Sequence, residues 1–163
     1  MKSFFSRFFR GAIFLSLISL SFFFVSCSSG DDDASVYGRW RGAEYGDLYV
    51  ITPIYFYAYY KDTDKVTDKF FYSGKIVGSE QLDDSSYYIY IRFTDYISYS
   101  TGKTDKDTVG KYYCIYVYNL SDTKCNISQA YKSSTSAVST LSEAKKMTIE
   151  DGWFSSGSAC VRE

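Results

Sequence analysis

Hydrophobic and polar positions fall into two regimes along this chain. Gly11 to Val25 is an apolar run broken only by serines, and from Val36 onward apolar and polar residues alternate with a period of two. Such alternation marks half-buried antiparallel strands, because successive side chains point to opposite faces of a sheet. Within residues 87–97, Tyr87, Ile89, Ile91, Phe93 and Ile97 fall on one side and Tyr88, Tyr90, Arg92, Thr94 and Tyr96 on the other. Residues 111–118 repeat the pattern, with Tyr113, Ile115 and Val117 against Tyr112, Cys114, Tyr116 and Tyr118. Further strands are predicted at 48–52, 54–60, 70–77, 125–131 and 158–162, with a first one at 37–41. The polar stretches 61–69, 78–86, 100–110 and 119–124 read as hairpin loops, too short for the crossover that a parallel pair requires. The expectation is an all-β, mainly antiparallel fold: a small up-and-down barrel of about seven or eight strands. One helical signal interrupts it. Thr140-Leu141-Ser142-Glu143 has the spacing of a capping box, which predicts a short helix over 141–148 laid against one end or face of the barrel.

The apolar run belongs to a leader. Met1 to Arg10 carries Lys2, Arg7 and Arg10 and no acid, and the run that follows falls short of the roughly 20 residues that span a bilayer as a helix. The junction Phe24-Val25-Ser26-Cys27 resembles a bacterial lipobox of the looser spirochaete pattern, with Phe24 where Leu is usual. The resemblance implies cleavage before Cys27 and acylation of its thiol and new amino group. Each buried methylene of those chains contributes about 0.8 kcal/mol, enough together to hold the protein on a membrane with no protein segment in it. Ser28 to Ser35 (SSGDDDAS) is a flexible acidic tether. The predicted organisation is therefore a signal peptide over 1–26, a tether over 27–35 and a barrel domain over 36–163. The expected location is the bacterial cell envelope, lipid-anchored to the outer membrane, on its periplasmic or surface-exposed face.

Composition sharpens this picture once the leader is set aside. Eight of the 13 Phe lie in the leader, whereas all 18 Tyr lie beyond it. Three cations also leave with the leader, so 15 basic residues face 19 acidic ones and the mature domain is mildly acidic. No basic patch for nucleic acid is expected. The chain contains no histidine, which removes a Ser-His-Asp triad, His metal ligation and His-based proton transfer. Asp62/Asp64 and Asp105/Asp107 lack the remaining ligands and turn glycine of a calcium loop and read as solvated hairpin tips. Neither a metal, a cofactor nor an enzymatic activity is expected.

Gly38-Arg39-Trp40 near the start of the domain and Arg162 near its end resemble the lipocalin arrangement, in which a Gly-x-Trp opens the first strand and a late Arg stacks on the Trp. First and last strands are neighbours in an up-and-down barrel, and guanidinium over indole is a favourable contact. More broadly, the stretches 37–52, 71–80, 87–94, 109–130, 139–147 and 158–163 resemble a set of treponemal lipoproteins. These share the Gly-x-Trp start, a Tyr-Gly-Asp step, a Gly-Lys-Tyr-Tyr strand, a Thr-Leu-x-Glu-Ala-Lys helix and a Ser-Ala-Cys end. The resemblance implies a lipoprotein with a lipocalin-like barrel and supplies no catalytic residues.

Two groups of residues remain as candidate sites. Tyr88, Tyr90, Tyr96, Tyr112, Tyr116 and Tyr118 share the outer face of adjacent predicted strands, where they either present a contact surface for a protein or glycan or simply form good strands. Of Cys114, Cys125 and Cys160, the pair Cys125 and Cys160 on the last two strands is the easier bridge, and Cys114 to Cys125 is out of register. The leading expectation is a non-enzymatic binding module, with an apolar ligand in the barrel or a protein or glycan on the tyrosine face. The alternatives are an envelope hydrolase or enzyme inhibitor on the same barrel, with Glu44 and Asp47 near a strand end as the acids to examine, or a purely structural envelope protein.

Overall fold

The computed structural model describes residues 34–62, 65–98, 101–134 and 136–163; the signal segment, Cys27 and the tether as far as Asp33 lie outside the described residues. Eight strands follow one another: β1 (Gly38–Gly42), β2 (Leu48–Ile51), β3 (Tyr55–Asp62), β4 (Lys65–Asp83), β5 (Ser86–Tyr96), β6 (Tyr112–Tyr118), β7 (Lys124–Gln129) and β8 (Ser158–Arg162). They form one closed barrel in sequential order, each antiparallel to both neighbours, with β1 beside β8. Strand direction alternates in a meander, so an even number lets first and last strands meet antiparallel and leaves no edge.

Partners across the ladders share a face, which locates the barrel interior. Trp40 opposes Tyr49 and Arg162, Tyr49 opposes Ala58, Ala58 opposes Tyr72, Ile89 opposes Ile115 and Val117 opposes Ile127. These inward residues are buried, apart from Arg162, and each large one contributes on the order of 1.5–3 kcal/mol through lost apolar exposure. Gly74 faces inward opposite Phe56 and Phe93, and a Cβ there would lie 2.7 Å from Cδ1 of Ile91. The missing side chain gives the neighbouring rings and Ile91 their space.

Two strands run further than the hydrophobic pattern foretells. β4 spans 19 residues and takes in most of the predicted loops at 61–69 and 78–86. Backbone ladder bonds need no apolar side chains, and the exposed residues Glu80 to Asp83 are in strand although no periodicity marks them. Register shifts also re-aim side chains. Between Ala58 and Tyr59 the partners step from Tyr72 to Phe70, leaving Phe71 as an extra residue. A second shift beside Ser73 and Gly74 leaves Thr94 unpaired between Phe93 and Asp95 and sets Tyr96 opposite Tyr72. Tyr96 is thus turned inward, which corrects its predicted place on the outer face.

The connection from β7 to β8 forms a strap over the outside of the barrel. Where β7 ends, Val138 replaces it beside Tyr112, exchanging backbone hydrogen bonds of 2.8 and 2.9 Å. Then comes helix α1 (Leu141–Ala144), whose Thr140 and Glu143 form the capping box reciprocally. The helix is one turn long, shorter than the predicted 141–148. Lys146 and Met147 donate to the carbonyls three residues back, at Glu143 and Ala144, and this tightening ends it. Ala144 and Met147 are fully buried against the barrel's outer face. The strap returns past β7 at Gly157, where a Cβ would meet the Ile127 carbonyl oxygen at 2.6 Å, so a side chain cannot be admitted without backbone movement.

Candidate functional site

The end at which the chain enters, near Ala34, is sealed. Trp40 is completely buried, and its indole N–H donates to the Val36 carbonyl at 2.9 Å. The Arg162 guanidinium lies 4.1 Å from the Trp40 ring centroid and donates to the carbonyls of Ser35, Tyr37 and Asp122. Gly38 has φ +147°, and a Cβ there would come within 2.6 Å of an Arg162 nitrogen. The glycine of the Gly-x-Trp step is therefore the space through which the arginine reaches the indole. Across the same seam, Glu163 accepts from Arg39 and Arg41, and those hydrogen bonds, Arg41 first, hold its carboxyl below the usual value. An apolar cleft of about 250 Å³ lies beside the seal, lined by Ala34, Val36, Tyr37, Ile76, Tyr87 and Ile89.

The opposite end is the mouth, and sequence reasoning did not find it. Here Phe71, Tyr72, Phe93, Tyr96, Tyr113 and Gln129 line a cleft of about 220 Å³. A smaller one of about 130 Å³ adjoins it through Phe71 and Gln129, walled by Asp47, Tyr49, Ala58 and Tyr59. The rings interlock. Phe93 and Tyr113 stack at 5.2 Å, and Tyr72 meets Tyr113 edge-on at 5.9 Å and Phe56 in a stack at 5.8 Å. Gln129 bridges the phenols through two long hydrogen bonds, accepting from Tyr113 at 3.5 Å and donating to Tyr49 at 3.4 Å. The Tyr72 hydroxyl is buried and has no hydrogen-bond partner among the described residues. Burial pushes the phenols of Tyr72 and Tyr113 well up, with the neighbouring phenols adding to it, and pushes Tyr49 up to about 12. The mouth is accordingly lined by neutral hydroxyls.

The tyrosine surface does not remain open. Tyr88 and Tyr90 are 4% and 1% exposed, and Tyr112, Tyr116 and Tyr118 are half-buried. Phe154 of the strap stacks on Tyr88 at 5.6 Å and tilts against Tyr116 at 5.5 Å. The Tyr88 hydroxyl accepts from the Ile149 backbone N–H at 3.0 Å, the Tyr118 hydroxyl from Gly157 at 3.0 Å, and Lys145 lies 5.9 Å over Tyr90. Together with Tyr96, which faces inward, this corrects the expected contact surface. Tyr88, Tyr90, Tyr116 and Tyr118 form a second packed layer under the strap, with Tyr112 half-buried beside it, because a half-apolar outer face is more stable covered than wet.

Cys125 and Cys160 are direct partners on β7 and β8 with both thiols buried and unbridged. A hydrogen bond to Cys160, seconded by burial, pushes the Cys125 thiol up. Cys114 sits on the outer side beneath the strap, opposite Ala130, and burial pushes its thiol up as well. Glu44 is exposed, whereas Asp47 lines the smaller cleft, so the two acids do not converge on it. Asp105 caps its own turn by accepting from Asp107 N–H and the Thr108 hydroxyl. Among the described residues no group of three or more His, Cys, Asp or Glu side chains is placed to hold a metal ion. The Trp40–Arg162 seal and the tyrosine mouth mark the two ends of a closed eight-stranded antiparallel barrel, with a polar-studded cleft at the mouth. No family model, curated protein or solved structure matches the chain.

Proposed function

We propose that this protein is a lipid-anchored lipoprotein of the bacterial cell envelope, of the treponemal kind its motifs resemble, and that its barrel is a non-enzymatic binding module for a small ligand held in the mouth. The observation that carries the reading is the buried Tyr72 hydroxyl, which has no hydrogen-bond partner among the described residues and sits in a wall of aromatic rings at the mouth. An unpaired hydroxyl in a dry site costs free energy, and a ligand that pairs with it recovers that cost on binding. Arg162 and Trp40 close the β1–β8 side of the end where the chain enters at Ala34, and the ring-lined cleft with polar tips lies at the far end. The covered tyrosine face favours the barrel ligand over a partner docked on that face. The neutral phenols and buried thiols suit binding rather than acid–base or nucleophilic chemistry.

Two measurements test this. Mass spectrometry of the mature N-terminus should find Cys27 carrying a diacylglycerol and an N-acyl chain; an unmodified Cys27 or a retained leader would refute the anchoring. Native mass spectrometry of the protein released gently from envelopes should show a small molecule that leaves on unfolding. A protein that is ligand-free in every preparation, and whose melting temperature no compound raises, would refute the binding role.

A further inference from the structure

We infer that the mouth takes a neutral planar ring compound carrying an amide-like acceptor edge, with the Tyr72 hydroxyl as its hydrogen-bond donor; this rests on the reading of the barrel as a binding module. Size comes first. An apolar cavity of about 150 Å³ accommodates a benzene ring. The main cleft, at about 220 Å³, has room for a ring with substituents, and the adjoining space of about 130 Å³ leads toward Gln129 and Tyr49.

Shape and charge narrow the class. The walls are ring faces and edges from Phe71, Phe93, Tyr96 and Tyr113, which favour a flat π-system inserted among them over a flexible chain. A fatty acid would bring a carboxylate, and among the described residues neither cleft has a Lys or Arg in its lining to receive it. The phenols stay protonated, so they offer O–H donors to a neutral acceptor. The Gln129 carboxamide is tied to Tyr113 and Tyr49 only at 3.5 and 3.4 Å, beyond the usual hydrogen-bond range, and it re-pairs at little loss. A carboxamide offers one donor and one acceptor side by side, which matches a planar amide or lactam edge. Tyr72 supplies the remaining donor.

Four probes separate the outcomes: benzamide, toluene, laurate and N-acetylglucosamine, each titrated into the mature protein and followed by ligand-observed NMR. Benzamide is expected to bind more tightly than toluene. Tyr72→Phe should weaken benzamide about tenfold and leave toluene unchanged, the loss of one buried hydrogen bond. Gln129→Leu should weaken benzamide likewise, which keeps the test intact should either variant alone fail to fold. Equal binding of benzamide and toluene, with neither variant altering the ratio, would overturn the inference. Binding of laurate or N-acetylglucosamine in place of benzamide would overturn it too, while leaving the binding module standing. If none of the four binds, the inference falls, and the binding module is judged separately by native mass spectrometry of the protein released from envelopes.

Discussion

Arg162 offers the sharpest test of how this barrel is closed. Replacing it with Met keeps a long apolar stem but removes the guanidinium that lies 4.1 Å from the Trp40 ring and the hydrogen bonds to the Ser35, Tyr37 and Asp122 carbonyls. A cation over a desolvated indole is worth about 1–2 kcal/mol. Hydrogen bonds from a charged donor reach about 1.5–3 kcal/mol each when buried, but Arg162 is partly exposed and water replaces most of that, leaving about 0.5 kcal/mol apiece. The expected loss is about 3 kcal/mol. Unfolding entropy near 2.1 cal/mol/K per residue over roughly 130 ordered residues converts this to a fall in Tm of about 10 °C. Arg162→Lys keeps the charge without the planar fork and should lose about half as much. Urea unfolding followed by far-UV circular dichroism gives the free energies of every variant. A double-mutant cycle with Trp40→Phe then isolates the ring contact from the carbonyl bonds. Parent-like stability of Arg162→Met, within about 0.5 kcal/mol, would show that the seal is closed by packing alone and that the arginine is a passenger.

Three further outcomes follow from the geometry. The Glu163 carboxyl has a folded-state pKa below its usual value of 4.5, so its contribution is fully present above that value and is lost as pH falls through the depressed one; Glu163→Gln should cost at most about 1 kcal/mol at neutral pH and flatten the acid limb of a stability-versus-pH curve. An unchanged acid limb in Glu163→Gln would count against the pairing of Glu163 with Arg39 and Arg41. Tyr72→Phe removes a buried hydroxyl with no partner among the described residues and should stabilise the ligand-free protein by about 1 kcal/mol in chemical denaturation, whereas destabilisation would mean the hydroxyl is already paired. Exposure to oxidised glutathione should join Cys125 and Cys160, each thiol giving up a hydrogen to the oxidant. The bridge would close a loop of roughly 35 residues and stabilise the fold by about 3–4 kcal/mol in the chain-entropy account, and a protein that keeps both thiols after prolonged oxidation would refute this.

Much of this molecule is legible one residue at a time. Period-two alternation from Val36 onward was enough for the meander of antiparallel strands, because the pleat itself sends neighbours to opposite faces. The pairing of Gly38 and Trp40 with Arg162 was readable through its resemblance to the lipocalin arrangement, which the meeting of first and last strands in a sequential barrel supports. The capping box located the helix start, which depends on four adjacent residues. What failed was whatever depends on the count of residues between strands. One extra residue at Thr94 turned Tyr96 inward, and one at Phe71 altered the lining of the mouth, since each inserted residue flips every side chain beyond it. Nor does any local pattern say that the long connection after β7 comes back across the outer tyrosines. That choice is made by the apolar area left uncovered on β5 to β7, and it converts what reads as a contact surface into a second core. The sequence by itself therefore determined the strand order, a consequence of local geometry and chain order, and pointed to the seal through a resemblance. Only the tertiary structure decided which tyrosines are buried, where the mouth lies, and that the Tyr72 hydroxyl has no partner among the described residues, because those depend on bulges and long-range packing that no window of the chain contains.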